Sequence, residues 1–481
     1  MLTSRQRAAL DALRTSAPVL GRLATLFADA GHELYLVGGP VRDALLGRGN
    51  GIDLDFTTSA QPDQIEALLK KISKATWDMG RAFGTIGTAV KGPDGNRLVV
   101  EITTFRADSY DPESRKPTVS FGDHLGADLV RRDFTVNAMA LRVADGEFFD
   151  PFGGLVDLEE RTLRTPATAE LSFSDDPLRM MRAARFASQL EFIPDADVVK
   201  AMTDMAERID IVSAERVRDE LTKLMLSDRP RLGLDLLTRT GLADRVIPEL
   251  PALRMEGDEH NRHKNVYEHT LTVIDQAIDL EKARGHAPDL IVRLAALFHD
   301  VGKPKTRRFE QGGKVSFHHH DVVGAKLTRR RMEALRFSSD EIKAVSELVE
   351  LHLRFHGYGD GAWTDSAVRR YVRDAGDQLE RLHIRRPRRA GRAGVDPARP
   401  RRHADHGVAR HSSGAGRRRG VPLHDGAPHG RGSARARGRP RAPARLVGCA
   451  SVTDEPGTAA ADNPDVSPVG GAAAPRWHGI N

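Results

Sequence analysis

The chain has 481 residues, 40% apolar and 29% charged, with one cysteine, Cys449, and a net charge of +6. That length allows several domains with sizeable cores. The lone cysteine excludes an internal disulfide framework and argues against a cysteine zinc site, and the sequence contains no apolar run of the roughly 20 residues a membrane span needs.

The opening stretch MLTSRQRAALDALR reads as an amphipathic helix without a secretory apolar core, which points to the cytoplasm. Charge is distributed unevenly. After Ile384 there are 19 arginines, no lysine and 7 acidic residues, so the residues before it are net acidic. Any nucleic-acid binding by the earlier part must use local basic patches.

Residues 1–165 mix strand-like runs (LYLVGG, IDLDFTT, RLVVEITTFR) with helical stretches, as in an α/β domain. The apolar run Leu34–Val37 leads into Gly38 and Gly39, with a helix expected from about Val41. Glycines at a strand-to-helix turn let backbone N–H groups approach a phosphate, and Arg42 stands where it could reach the same phosphate. In Ile52-Asp53-Leu54-Asp55-Phe56, strand alternation predicts that Asp53 and Asp55 share one face while Ile52, Leu54 and Phe56 point into the core. Two carboxylates about 7 Å apart along a strand can share Mg²⁺ with phosphate oxygens. Glu101, in RLVVEITTFR, is a third acid that fits either a catalytic or a structural role. The polar stretch Ala107–Val130 reads as a mobile loop.

Residues 166–255 read as successive amphipathic helices, one of them over Asp176–Leu190. Ser174 or Asp175 suits a helix cap, with Pro177 in the first turn. Asp176, Arg179 and Arg182 then follow at three-residue spacing along one side, leaving Leu178, Met181 and Ala184 to pack. A carboxylate accepts from an exocyclic amine and a guanidinium donates to a ring nitrogen or carbonyl. Such a pair would admit cytosine and adenine and leave polar groups unpaired with guanine or uracil.

Residues 256–384 are again helical, with His269, the doublet His299-Asp300, His320, His352 and Asp365. Imidazole and carboxylate ligands in this order suit Mn, Co, Ni, Fe or Zn; His318 and His319 have no assigned part. From 385 to 481 the chain is rich in Arg, Gly, Ala and Pro and reads as disordered. It is either a basic arm for RNA phosphates or an out-of-frame translation of a GC-rich gene, and the abruptness of the change favours the second.

Five stretches in order carry a resemblance: GGPVRDALLGRGNGIDLDF, RRDFTVNAMA (Arg131, Arg132, Asp133, Asn137), DPFGGLVDL, SDDPLRMMRAARF and SAERVRDEL. Together they resemble the motifs of class II tRNA nucleotidyltransferases of the CCA-adding type and of bacterial poly(A) polymerases, in the polymerase-β-like superfamily. The resemblance spans roughly residues 20–380 and implies an α+β chain. A small nucleotidyltransferase head would precede an all-α neck, a helical domain of the HD metal-phosphohydrolase type and the disordered tail. It implies Mg²⁺ on Asp53 and Asp55, phosphate contacts from Gly38, Gly39 and Arg42, and assistance from Arg131, Arg132 and Asn137. Base selection would fall to Asp176 and Arg179, with Arg182 and Arg185 holding the nucleotide. Asp175 stands where the family usually has Glu. The loop at Ala107–Val130 matches one that assists the switch from C to A. The expected activity is addition of C and A to the 3′ end of tRNA from CTP and ATP. Alternatives are poly(A) synthesis, phosphohydrolysis at the histidine site, or RNA binding without catalysis.

Overall fold

The head begins with two helices, α1 (Ser4–Thr15) and α2 (Pro18–Asp29). The first is closed by a capping box in which the Thr3 hydroxyl accepts the Gln6 N–H, and Leu10 and Leu13 are its buried stripe, as its amphipathic pattern predicts. Strand β1 (Leu34–Val37) runs into α3 (Gly39–Leu45), and β2 (Asp53–Thr58) into α4 (Pro62–Leu69). Short β3 (Thr76–Trp77), β4 (Thr85–Lys91) and β5 (Arg97–Thr104) follow, then α5 (Leu125–Val130), β6 (Ala140–Arg142), β7 (Phe148–Phe149) and α6 (Gly154–Glu160). The sheet order is β3-β4-β5-β2-β1-β6-β7, antiparallel except between β2 and β5. Leu36, Leu54, Phe56, Ile86, Val100 and Ile102 fill one side of it.

This computed structural model describes residues 2–48, 53–73, 75–78, 80–92, 95, 97–106, 122, 124–255, 265–311, 315–353, 378 and 381. Asp365, the Arg-rich tail and most of the expected mobile loop lie outside them. The end of that loop, Leu125–Val130, is the helix α5. The Gly-Gly turn also differs from expectation, because α3 starts at Gly39 and not near Val41.

The helical part has one small parallel ladder, β8 (Thr162–Leu163) with β9 (Ile193–Pro194), and α7 (Ala169–Asp175), α8 (Leu178–Leu190) and α9 (Ala196–Asp204). It continues with α10 (Ala214–Met225), α11 (Pro230–Arg239) and α12 (Leu242–Val246). Helices α13 (Val266–Ala283), α14 (Leu290–Phe298) and α15 (Lys303–Thr306) come next. The hairpin β10 (Arg308–Phe309) with β11 (Val315–Ser316), α16 (His320–Ala334) and α17 (Ser339–Leu351) close the described fold. The chain is therefore α+β, with the hairpin as a small exception to an all-helical second half. Among the described residues no helix is long and apolar enough to cross a membrane.

Helix α8 is the spine of the middle region. Its expected core residues Leu178, Met181 and Ala184 are buried, yet so are Arg179 and Arg185. It is covered nearly all round, so its burial is broader than an amphipathic stripe. Where α11 crosses it, Gly233 donates its N–H to Ser188 Oγ at 2.9 Å. A Cβ there would stand 2.4 Å from the Ala184 carbonyl oxygen and 2.5 Å from Ser188 Oγ. Backbone cannot yield as a flexible side chain can. Gly233→Ala is therefore expected to cost about 1–3 kcal/mol through overpacking, visible as a lower urea midpoint by circular dichroism.

Candidate functional site

A cavity of about 220 Å³ opens on the head, lined by Asp55, Thr85, Glu101, Thr103, Arg106, Arg131 and Arg132 among others. Its floor follows from sheet register. Strands β2 and β5 are parallel, with Asp55 opposite Glu101, so the two residues stand side by side on one face. The neighbours of Asp55, Leu54 and Phe56, are buried while Asp55 is exposed, as alternation predicts. Asp53 opens the same strand two positions earlier; its side chain lies outside what is described. The oxygen-rich donor set at Asp55 and Glu101 fits a hard divalent cation.

Gly38 bridges β1 and α3 at φ 73° and ψ −134°, a conformation open in practice to glycine alone. A Cβ at this position would come 3.5 Å from Arg132 Nη1, so the turn and that arginine are neighbours. Asp128, a residue with no role assigned from sequence, sets both cavity arginines. Its fully buried carboxylate accepts from Arg131 Nη2 at 2.8 Å and Arg132 Nη2 at 2.9 Å. Burial works against its charge, but Arg132 and Arg131 hold its carboxyl below the usual carboxylate range.

Arg42 does not stand open to a phosphate. Its guanidinium is buried, donates to both Asp43 oxygens at 2.9 and 3.0 Å, and reaches Asn137 Oδ1 at 2.6 Å. Asn137 in turn donates to Asp133 Oδ1 at 2.9 Å, and Asp133 Oδ2 accepts from Arg182 Nε at 2.8 Å and Nη2 at 2.5 Å. Arg182 and Arg185 both face Glu220 of α10, at 3.6 and 2.5 Å. The Phe186 ring lies amid Arg42, Arg182 and Arg185, whose guanidinium carbons are 5.3, 5.6 and 4.1 Å from its centroid. Burial opposes the Asp133 charge, yet Arg182 and Asn137 hold its carboxyl well below the usual range.

The base-reading pair is arranged differently from the sequence expectation. Ser174 and Asp175 end α7 and do not cap α8; Pro177 is the N-cap of α8, and Asp176 is extended between the two helices at φ −143°. Asp176 is thus off the helix that carries Arg179 and Arg182. Its Oδ1 accepts the Leu178 N–H at 3.2 Å and its Oδ2 accepts from Arg216 Nη2 at 2.8 Å. Arg179 donates to Ser172 Oγ at 2.8 Å and to the Arg131 carbonyl at 2.5 Å. That last bond ties α8 to the head.

The second site gathers four imidazoles around Asp300. His299 Nε2 lies 3.0 Å and His269 Nε2 3.8 Å from Oδ2, while His320 Nε2 lies 3.3 Å and His352 Nε2 3.8 Å from Oδ1. Three of the rings, those of His299, His320 and His352, have Nδ1 at 2.8, 2.8 and 2.5 Å from the carbonyls of Ala296, Phe317 and Val349. That partner selects the Nδ1–H tautomer and leaves the Nε2 lone pair as a ligand. Buried His299 Nε2 and Asp300 Oδ2 lie 3.0 Å apart without hydrogen-bond geometry between them, an approach that a bound cation would favour. The groups His269–His299–Asp300 and Asp300–His320–His352 each have the spacing to hold one metal, with Asp300 common to both. Lys303 Nζ, unforeseen from sequence, is 3.0 Å from Asp300 Oδ2. Burial opposes the Asp300 charge, but with Nε2 protonated, His299 and His320 keep its carboxyl well below the usual range, and a cation would replace those protons. His318 pairs with Glu310 away from this cluster.

Three family models match the chain: the poly A polymerase head domain over residues 34–164, the probable RNA and SrmB-binding site of polymerase A over 191–253, and the HD domain over 266–385. Together they match a poly A polymerase head, an RNA-binding region and an HD domain, in that order. Each match covers part of the chain, and the head match contains the paired strands that bear Asp55 and Glu101. The CCA-adding enzyme of Lactobacillus johnsonii is 42% identical over 219 residues, 45% of this chain and 52% of that protein. That of Levilactobacillus brevis is 43% identical over 214 residues, 44% and 51%. The chain spans about half the length of these curated relatives. Its fold is shared with the Thermotoga maritima CCA-adding enzyme complexed with tRNA, at TM-score 0.53 and 19% identity over 78% of this chain and 80% of that one.

Because the folded-state Asp133 carboxyl titrates below its ordinary 3.8, its stabilisation is complete above that pH and is lost as pH falls further. Acid unfolding followed by circular dichroism should steepen below about pH 4. Asp133→Asn should lower stability at pH 7 and flatten that acid slope.

Proposed function

We propose that the chain adds C and A nucleotides to the 3′ end of tRNA, taking them from CTP and ATP and releasing pyrophosphate. The observation that carries this reading is the side-by-side placement of Asp55 and Glu101 in one cavity with Arg131 and Arg132, beside the strained Gly38 turn. Asp53 and Asp55, with Glu101, would hold Mg²⁺. When bound, that ion lowers the pKa of the attacking 3′ hydroxyl and offsets charge on the leaving pyrophosphate. The chain's own residues do the rest. Gly38 and Gly39 let backbone approach the triphosphate, and Arg131 and Arg132, pre-set by Asp128, neutralise its oxygens without reorganising at the moment of transfer. Arg42 and Asn137 contribute by fixing Asp133, Arg182 by holding α8 against the head, and Arg185 by joining α8 to Glu220 of α10. Asp176, stationed by Arg216 and the Leu178 N–H, keeps lone pairs for the exocyclic amine of C or A, and Arg179 supplies donors beside it. The relatives' name and the ordered motifs favour CCA addition over poly(A) synthesis. A cytoplasmic location accords with a tRNA substrate.

The HD centre supports a second reading, metal-dependent phosphoester hydrolysis. Its four imidazoles and shared carboxylate suit a transition metal such as Mn, Co, Ni, Fe or Zn better than Mg²⁺.

Incubated with tRNA lacking its 3′ end, CTP and ATP, the wild type should give products that sequence as CCA, not as long A tails. Asp55→Ala should lower kcat on the order of 10³-fold, since a metal's charge stabilisation is worth several kcal/mol. For the HD centre, His299→Ala and His320→Ala should each lose Mn²⁺ or Ni²⁺ on dialysis, read by elemental analysis. Nucleotide addition should remain in both variants.

A further inference from the structure

A single 3-10 turn, Arg81–Phe83, joins β3 to β4 at the rim of the Asp55–Glu101 cavity. Phe83 is 44% exposed, and among the described aromatic residues of the head it is the only one left exposed. The turn that carries it is tightly built. Phe83 and Thr85 both donate their N–H to the Gly80 carbonyl, at 2.8 and 2.9 Å, and the Gly84 carbonyl accepts from Thr104 of β5 at 3.0 Å. Gly84 has φ 80°, and a Cβ on Gly80 would stand 2.8 Å from that of Thr85. The Arg81 side chain anchors the turn to α4 through Asp63, at 2.5 Å, and Glu66. A segment so fixed holds an apolar ring in water two residues from the cavity-lining Thr85.

A charged side chain lies over the ring. The Arg106 guanidinium carbon is 5.9 Å from its centroid, and Arg106 itself lines the cavity with Asp55, Glu101, Arg131 and Arg132. Two positions along from Phe83, Thr85 lines it too. An exposed aromatic face beside an arginine, near a cavity lined by three arginines and two carboxylates, is an arrangement that can receive a single-stranded nucleic-acid base. The ring stacks on the base whatever its identity, and the guanidinium serves the phosphate or the base face.

We propose that Phe83 is the platform on which the last base of the RNA primer stacks, steering its 3′ hydroxyl toward Asp55. This rests on the nucleotidyl-transfer reading and assigns Phe83 to the RNA, not to the incoming nucleotide. Sequence-tolerant stacking suits a primer whose end changes with each addition.

The test uses the full chain and truncated tRNA carrying 2-aminopurine at its 3′ terminus. Wild type and Phe83→Trp should quench the fluorophore on binding, and Phe83→Ala and Phe83→Leu should not. In steady-state addition, Phe83→Ala should raise KM for tRNA about tenfold, from the value of one stacked base, with KM for CTP unchanged and restoration by Phe83→Trp. Unaltered quenching and KM in Phe83→Ala would overturn the proposal, as would a rise in KM confined to CTP. Asp55→Ala separates the two readings: it should quench like wild type and add nucleotides on the order of 10³-fold more slowly. Addition that proceeds at the wild-type rate in Asp55→Ala defeats the transfer reading itself, whatever Phe83 does.

Discussion

One buried carboxylate, Asp133, holds the head to α8. A charge taken out of water costs several kcal/mol unless its partners are close and well aligned. Asp133 has Arg182 on one oxygen and Asn137 with the Phe134 N–H on the other. Asn137 extends the chain of contacts to Arg42 on α3, and Arg182 and Arg185 extend it to Glu220 on α10. Loss of any member leaves a buried charge without its counterpart, so these groups stand or fall together. Phe186 gives the three guanidiniums a common apolar surface, and its edge-on contact with Phe134 joins the same two regions, with centroids 5.7 Å apart.

That junction decides where the chemistry can sit. With α8 fixed, Arg179 reaches the Arg131 carbonyl, so the segment bearing the cavity arginines and the helix that follows Asp176 share one hydrogen bond. Asp128 then aims Arg131 and Arg132 from below, and the parallel register of β2 and β5 supplies facing acids. The layout gathers cations and carboxylates around one opening.

The HD centre uses the same logic on helices. Backbone carbonyls one turn back fix three imidazoles through Nδ1, and the buried Asp300 has charged or polar groups on both oxygens. Gly302 allows α15 to approach α16 there, since a Cβ would lie 2.1 Å from the His320 carbonyl oxygen. A further join to the middle region is made by Arg293, which meets Glu281 and the carbonyls of Met225 and Ser227 from a buried position.

Local pattern alone determined the strands at Leu34–Val37 and Arg97–Thr104, the exposure of Asp55 between buried Leu54 and Phe56, and the histidines that meet at Asp300. Each depends on alternation, on a glycine punctuation mark or on ligand types in order, which are properties of neighbours along the chain. Tertiary structure decided what those neighbours cannot encode. Asp55 faces Glu101 only because two distant strands pair in parallel. Arg42 turns to Asp43 and Asn137 instead of to solvent, since burial makes a charged partner obligatory. Asp176 leaves the helix and meets Arg216 because α7 stops before Pro177 and α10 packs alongside. In the sequence Asp133 was a member of the RRDFTVNAMA motif without a role of its own, and Asp128 fell in the polar stretch Ala107–Val130. They became the anchors of the site because folding removed them from water and left arginines as their means of remaining charged.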